Sequence, residues 1–279
     1  MSSDDWLYVR RGNAPMIISI PHGGTDVPHA LAGKLASDWI ARKDTDWWID
    51  ELYSFATSLD VTVVRTGMSR TVIDVNRDPT GRSLYPGQAT TELCPATTFD
   101  GEALYQFGQA PRPGDIDARR VAWFEPYHAS LEREVERLRS RHGCVVLYDA
   151  HSIRSRVPRL FDGILPHLNL GTYAGSSCDP VLASELRRLC TASPFSFVCD
   201  GRFKGGYITR HYGRPQHGVH ALQMELACRS YLREPEDGLS AANWPPRFDA
   251  EYAAPLIGLL DQLFKACLQF AAMPSRTPA

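Results

Sequence analysis

Apolar residues fall along this chain in two rhythms: short, β-branched runs, and longer stretches in which they recur every three or four positions. The run at 16–20, M-I-I-S-I, leads straight into P-H-G-G, placing His22 just past its end. The stretch 144–152, C-V-V-L-Y-D-A-H-S, has the same design and closes on Asp149, His151 and Ser152. Such runs read as strands buried on both faces, as in a largely parallel sheet. Further strands are expected at 61–65, 71–73, 195–199 and 220–226. Helical spacing covers 30–59, with Asp44 or Thr45 as an N-cap before the segment from Asp46. It recurs at 117–141, where Leu131, Val135 and Leu138 share a face among Arg and Glu, and at 180–192. A closing helix at 250–271 carries a stripe through Leu256, Leu259, Leu260, Leu263 and Phe264. Strands alternating with helices predict an α/β fold, a three-layer α/β/α sandwich. Residues 78–115 hold many Gly, Pro and Thr without a period; so long a loop is usually functional, as a lid or a binding wall. No composition break appears, so residues 1–279 read as one domain, with a frayed tail from 273.

Composition narrows the function. With 279 residues, 43% of them hydrophobic, the chain can bury a sizeable core. A formal net charge of −2 gives no reason to expect nucleic acid or an anionic membrane surface as partner. The apolar runs fall far short of the roughly 20 residues of a membrane span. The acidic start, M-S-S-D-D-W, does not read as a secretory leader. Seven dispersed cysteines without a C-x-x-C pair read as reduced thiols, and the expected location is cytoplasmic.

Open α/β sheets bind ligands beyond the carboxyl ends of their strands. His22 and His151 both fall at such ends and invite a metal. A catalytic zinc takes three protein ligands and leaves a position for water. The third should be a carboxylate, and Asp26, Asp46 and Asp50 are open candidates, although Asp46 and Asp50 would also suit the acidic first turn of a helix. Glu225 interrupts the apolar run 222–227, where a carboxylate needs a reason. It is either a general base or an ion-pair partner of a nearby arginine. Arg70, Arg77, Arg202, Arg210 and Arg214 in a nearly neutral chain point to a small anionic substrate, since guanidinium binds carboxylate through paired hydrogen bonds. No G-x-S-x-G elbow occurs, which speaks against a serine hydrolase.

Six motifs in order, I-S-I-P-H-G-G, D-T-D-W-W-I-D-E-L-Y, S-R-T-V-I-D-V-N-R-D-P, L-Y-D-A-H-S-I, G-R-F-K-G-G-Y-I-T-R-H-Y-G-R-P and L-Q-M-E-L, resemble the N-formylglutamate deformylase (N-formylglutamate amidohydrolase) family. The likeness spans residues 17–232. It implies a mixed, mostly parallel sheet between helical layers, resembling the zinc carboxypeptidases. It also implies a zinc ion, or another divalent metal, on His22, Asp46 and His151, with Glu225 as the catalytic glutamate. Asn76 and Arg77 are similar to the Asn-Arg pair that holds a substrate carboxylate in the carboxypeptidases, and Arg70 would polarise the scissile carbonyl. The implied reaction cleaves N-formyl-L-glutamate to formate and L-glutamate, in histidine degradation. Rival readings are a deacylase of another N-acyl amino acid, a small peptidase, and a non-catalytic anion-binding protein. One position departs from the carboxypeptidase pattern: three residues after the first histidine stands Thr25 rather than Glu. The carboxylate ligand must then come from elsewhere, with Asp46 preferred and Asp50 the fallback.

Overall fold

The structure is a computed structural model that describes residues 6–84 and 86–273. From 274 onward the expected frayed tail lies outside the described residues. Seven strands make one sheet: β1 (Leu7–Arg10), β2 (Met16–Ile20), β3 (Thr62–Thr66), β4 (Val145–Ile153), β5 (Leu168–Gly171), β6 (Phe197–Cys199) and β7 (Val219–Ala227). Their order is β1-β3-β2-β4-β7-β5-β6. The central four, β3, β2, β4 and β7, run parallel. β1 joins β3 antiparallel, and β5 joins β7 antiparallel while running parallel to β6. The sheet is therefore mixed.

Eight α-helices accompany it among the described residues: α1 (His29–Ala32), α2 (Asp38–Arg42), α3 (Ile49–Leu52), α4 (Pro113–Arg119), α5 (Glu125–His142), α6 (Pro180–Ala192), α7 (Tyr207–Tyr212) and α8 (Ala250–Ala271). Successive side chains of a strand point to opposite faces, and the core clusters follow that parity. Met16, Ile18 and Ile20 of β2, Val146, Tyr148 and Ala150 of β4, and Leu222, Met224 and Leu226 of β7 pack with Leu182 and Leu186 of α6 and Leu256, Leu260, Leu263 and Phe264 of α8. On the other face Ile17, Val145, Leu147, Val219 and Ala221 meet Leu131 and Leu138 of α5 and Ile208 of α7. Further along the same strands this second row turns polar. Ser19 pairs in register with Asp149, Asp149 with Gln223, and His151 with Glu225.

Several expected elements differ. The helix foreseen over 30–59 is broken into α1, α2, α3 and a 3-10 turn (Ser54–Thr57). The break before α3 is at Trp48, whose φ of 60° puts it in the left-handed region and makes it the N-cap. A bulky residue rarely adopts that conformation. Asp44 does not cap a helix; it accepts the Phe99 N–H and pairs with Arg154. Residues 71–73 are not a strand but part of a turn and coil, apolar because Val72 and Ile73 are buried rather than because they pair. β1 and β5, four residues each, were not foreseen. The helix expected at 117–141 is α4, a π-helical turn (Arg120–Phe124) and α5 in succession. α6 and α8 stand where their periodicity put them, and β7 overruns its expected span by one residue at each end.

Candidate active site

Beyond Ile20 the chain turns through Pro21 and presents His22. The Asp46 N–H donates to the His22 carbonyl at 3.0 Å, which ties the end of β2 to the segment before α3. The left-handed Trp48 then turns the chain into α3. Asp46 Oδ2 lies 3.2 Å from His151 Nδ1 and 3.7 Å from His22 Nδ1, with the two rings 4.7 Å apart. It also accepts the Ser152 N–H at 3.1 Å. The opposite nitrogen of each ring meets a second buried carboxylate. His22 Nε2 is 2.6 Å from Asp74 Oδ1, and His151 Nε2 is 3.0 Å from Asp149 Oδ2.

These residues fit a divalent metal. One ligand atom from each of His22, Asp46 and His151 can be chosen so that all lie within 4.8 Å of one another. His22 Nδ1 and Asp46 Oδ1 are buried yet have no hydrogen-bond partner, whereas buried polar atoms are normally paired. Two imidazoles and a carboxylate are a usual catalytic-zinc donor set, and a carboxylate behind each ring fixes its tautomer and orientation. Among the three acids left open, Asp46 alone stands with the histidines. Asp50 pairs with Arg65 at 2.9 Å, and the backbone of Asp26 bonds Gly67 and Ser69.

The charges are unevenly spread. Burial, and then the nearby Arg70, push the His22 pKa down to about 4. Burial also opposes charge on His151, but Asp149 and Asp46 hold its pKa well above the usual histidine value. Asp46 is lowered despite burial, chiefly by its hydrogen bond with His151, and Asp74 is held well below the carboxylate range by Arg77, His22 and Arg70. Glu225, only 7% exposed, is pushed up to about 8 by burial. The ion pair considered for Glu225 does not form among the described residues; its Oε2 instead accepts the Gln223 amide N–H at 3.0 Å.

A cleft opens over this centre, lined by His22, His151, Glu225 and Gln223 and by Arg70, Arg77 and Arg202. Arg70 donates to Asp74 at 2.8 Å and lies 4.7 Å from the Phe99 ring centre. Arg77 donates to Thr91 through Nε and Nη2, at 3.1 and 3.0 Å. Arg202 donates to the Leu160 and Ala89 carbonyls, each at 2.8 Å. Ala89, Thr90, Thr91 and Phe99 come from the long 78–115 segment, which supplies a wall of the cleft. Asn76 lines the cleft, but its amide is engaged. Nδ2 donates to Asp149 at 2.9 Å and lies 2.8 Å from His151 Nε2, and Oδ1 accepts the Ile208 N–H at 2.8 Å.

Arg210 and Arg214, expected among the substrate cations, do not line the cleft. Gly206 before α7 touches it, and Arg210 and Arg214 lie at least one helical turn further on. Arg210 bonds the Gly205 and Leu84 carbonyls, and the exposed Arg214 bonds those of Arg210 and Gly213. Sequence reasoning gave no role to Asp74, Asp149 or Gln223. The signal was present: Asp74 lies between Ile73 and Val75, and Asp149 between Tyr148 and Ala150, all buried apolar neighbours.

Comparison with known proteins bears on the whole chain. The family model for N-formylglutamate amidohydrolase matches residues 14–232. An N-formylglutamate deformylase of Pseudomonas putida is 44% identical over 270 residues, covering 96% of this chain and 98% of its own. One from Pseudomonas aeruginosa is 47% identical over 232 residues, covering 83% and 87%. The crystal structure of N-formylglutamate amidohydrolase from Ralstonia eutropha JMP134 has the same fold, with a TM-score of 0.75 at 20% identity over 95% of this chain and 97% of that one. A gene product of Agrobacterium tumefaciens shares it at TM-score 0.69 and 16% identity, over 98% of both chains. With the family model matching residues 14–232 and relatives of this closeness over nearly its full length, the chain belongs to the N-formylglutamate amidohydrolase family.

Proposed function

We propose that this protein hydrolyses N-formyl-L-glutamate to formate and L-glutamate, using a divalent metal, zinc by its donor set, held by His22, Asp46 and His151. The family membership supports the substrate. The observation that carries the chemistry is Asp46 lying between two imidazoles, each backed by its own carboxylate, with Glu225 opposite His151 on the adjoining strand. The seven free cysteines suit a reducing, cytoplasmic compartment.

A metal in this cradle supplies Lewis acidity, lowering the pKa of water toward about 7. Glu225 lines the cleft beside His151 in register, and a divalent cation in the cradle would favour its ionised form, the form a base needs. Glu225 takes the proton of the water that attacks the formyl carbon, and a C–O bond forms. It then returns that proton to the α-nitrogen as the C–N bond breaks, so the amine leaves neutral. Arg70, fixed by Asp74, stabilises the oxyanion that develops on the formyl oxygen. Arg77 and Arg202, on the cleft wall, take the two substrate carboxylates. Asn76 serves this binding indirectly, by holding Asp149 and the start of α7 in place.

The test is formate release from N-formylglutamate, with N-acetylglutamate as control, before and after chelation. Activity is expected on the formyl substrate, lost with the metal and regained when zinc is restored. Full turnover in protein shown to be metal-free would sink the metal, and no formate release from the loaded protein would sink the substrate.

A further inference from the structure

Gln223 has no assigned part in this chemistry, yet its geometry is tightly determined. It lies two residues before Glu225 on β7, on the same face, and is 4% exposed. Its Oε1 accepts the Gly206 N–H at 2.7 Å. A backbone N–H can only donate, so the amide cannot be flipped, and its NH2 must point toward Glu225. There it donates to Glu225 Oε2 at 3.0 Å. One oxygen of this cleft-lining carboxylate is thereby held.

Gly206 is itself fixed from a second side. A Cβ on it would fall 2.5 Å from Asn76 Nδ2, so its backbone packs directly on the amide that bonds Asp149. The loop ending at Gly206 also contributes Arg202 and Phe203 to the cleft wall. A change in loop position therefore reaches Glu225 through a single side chain.

We propose that Gln223 is a positioning residue for this reaction: it holds the Glu225 carboxylate by Oε2 and couples its placement to the substrate-binding loop 201–206. The proposal rests on Glu225 being the base, as argued above. A purely structural role, in which Gln223 only satisfies the buried Gly206 N–H, leaves Glu225 uncoupled.

A double-mutant cycle on the metal-loaded enzyme separates the two. Gln223→Met removes both hydrogen bonds at similar size. Gln223→Asn keeps a neutral amide but is one methylene too short to bridge Gly206 and Glu225, and it carries the cycle if the Met variant does not fold. Each is measured alone and with Glu225→Gln for kcat, KM, metal content and Tm. Contacting residues that act through one another couple by about 0.5–3 kcal/mol, so kcat is expected to fall by roughly 2–150-fold in either Gln223 variant. KM should stay within about threefold and metal content should be unchanged. Adding the Gln223 substitution to Glu225→Gln should then cost no further rate. Losses that multiply, a loss confined to KM, or a lowered Tm with normal kcat would overturn the proposal. If Glu225→Gln alone is fully active, the base assignment fails. If Glu225→Gln is impaired while both Gln223 variants are not, only the Gln223 inference fails.

Discussion

The two faces of the central strands carry different jobs. Toward α6 and α8, β2, β4 and β7 offer an apolar row down their length, from Met16, Val146 and Leu222 to Ile20, Ala150 and Leu226. Toward α5 and α7, the same strands are apolar only over their first halves, then carry Ser19, Asp149, His151, Gln223 and Glu225. The first face is built mainly for burial, with His220 and Ser152 hydrogen-bonded near its ends. The other interrupts its burial at the carboxyl ends, where Asp74, Asn76 and Gln223 pair with its polar groups while His22 Nδ1 and Asp46 Oδ1 are left open. Stability and chemistry are thus divided by residue parity along single strands, and a substitution on one face should leave the other's property intact.

The most severe test of that division is Leu260→Ala, in α8. Leu260 is fully buried in the apolar face, and truncating such a side chain costs about 2–5 kcal/mol. Denaturant unfolding should show that loss while turnover per folded molecule and metal content stay at the parent level; a changed kcat would mean that the faces communicate. The next test concerns His128 of α5, behind the site. Its Nε2 lies 2.8 Å from the Val75 carbonyl and its Nδ1 3.0 Å from the Tyr212 hydroxyl. Burial lowers its pKa from 6.5 to about 4. Between those values the unfolded chain takes up a proton that the folded chain refuses. Stability should therefore fall as pH drops from about 6.5 to 4, by on the order of 3 kcal/mol. His128→Gln should flatten that window in a pH series of unfolding curves; an unchanged slope would assign it to other groups. The smallest effect is expected from Arg77→Lys, which keeps the charge but loses the planar fork. Binding of N-formylglutamate should weaken by about 1.5–3 kcal/mol, as for a lost charged hydrogen bond, with Tm little changed. Unaltered KM and kcat would make Arg77 a brace for Thr91 and Asp74.

What the sequence made legible follows from which residues bear local signals. β2, β4 and β7 were readable because a buried parallel strand is a dense apolar run, and α6 and α8 because each has one apolar stripe. β1 was not, since its L-Y-V-R is mostly exposed and offers neither a buried run nor clean alternation. The 30–59 region misled because Trp47, Trp48, Ile49, Leu52 and Tyr53 look helical in spacing. A single left-handed residue breaks the helix there, and no propensity announces a left-handed tryptophan. In the candidate site, strand ends alone drew attention to His22 and His151. The residues by themselves left Asp26, Asp46 and Asp50 open and only the family resemblance favoured Asp46, whose meeting with His151 joins segments more than 100 residues apart. Arg210 and Arg214 do not line the cleft, since a cluster of arginines in sequence does not say which of them faces one cavity.

The placement of α8 also has a consequence for the birth of the molecule. The apolar face is complete only when residues 250–271 cover it, and those residues are translated after every strand. At roughly 5–20 residues per second, a nascent chain spends a time on the order of seconds with β2, β4 and β7 made but covered only in part, by α3 and α6. During that interval Ile18, Tyr148 and Met224 form an adhesive surface of the kind chaperones hold. The catalytic face, closed by the earlier α5 and α7, has by then been fully synthesised, so the chain can gather its chemistry before it secures its stability.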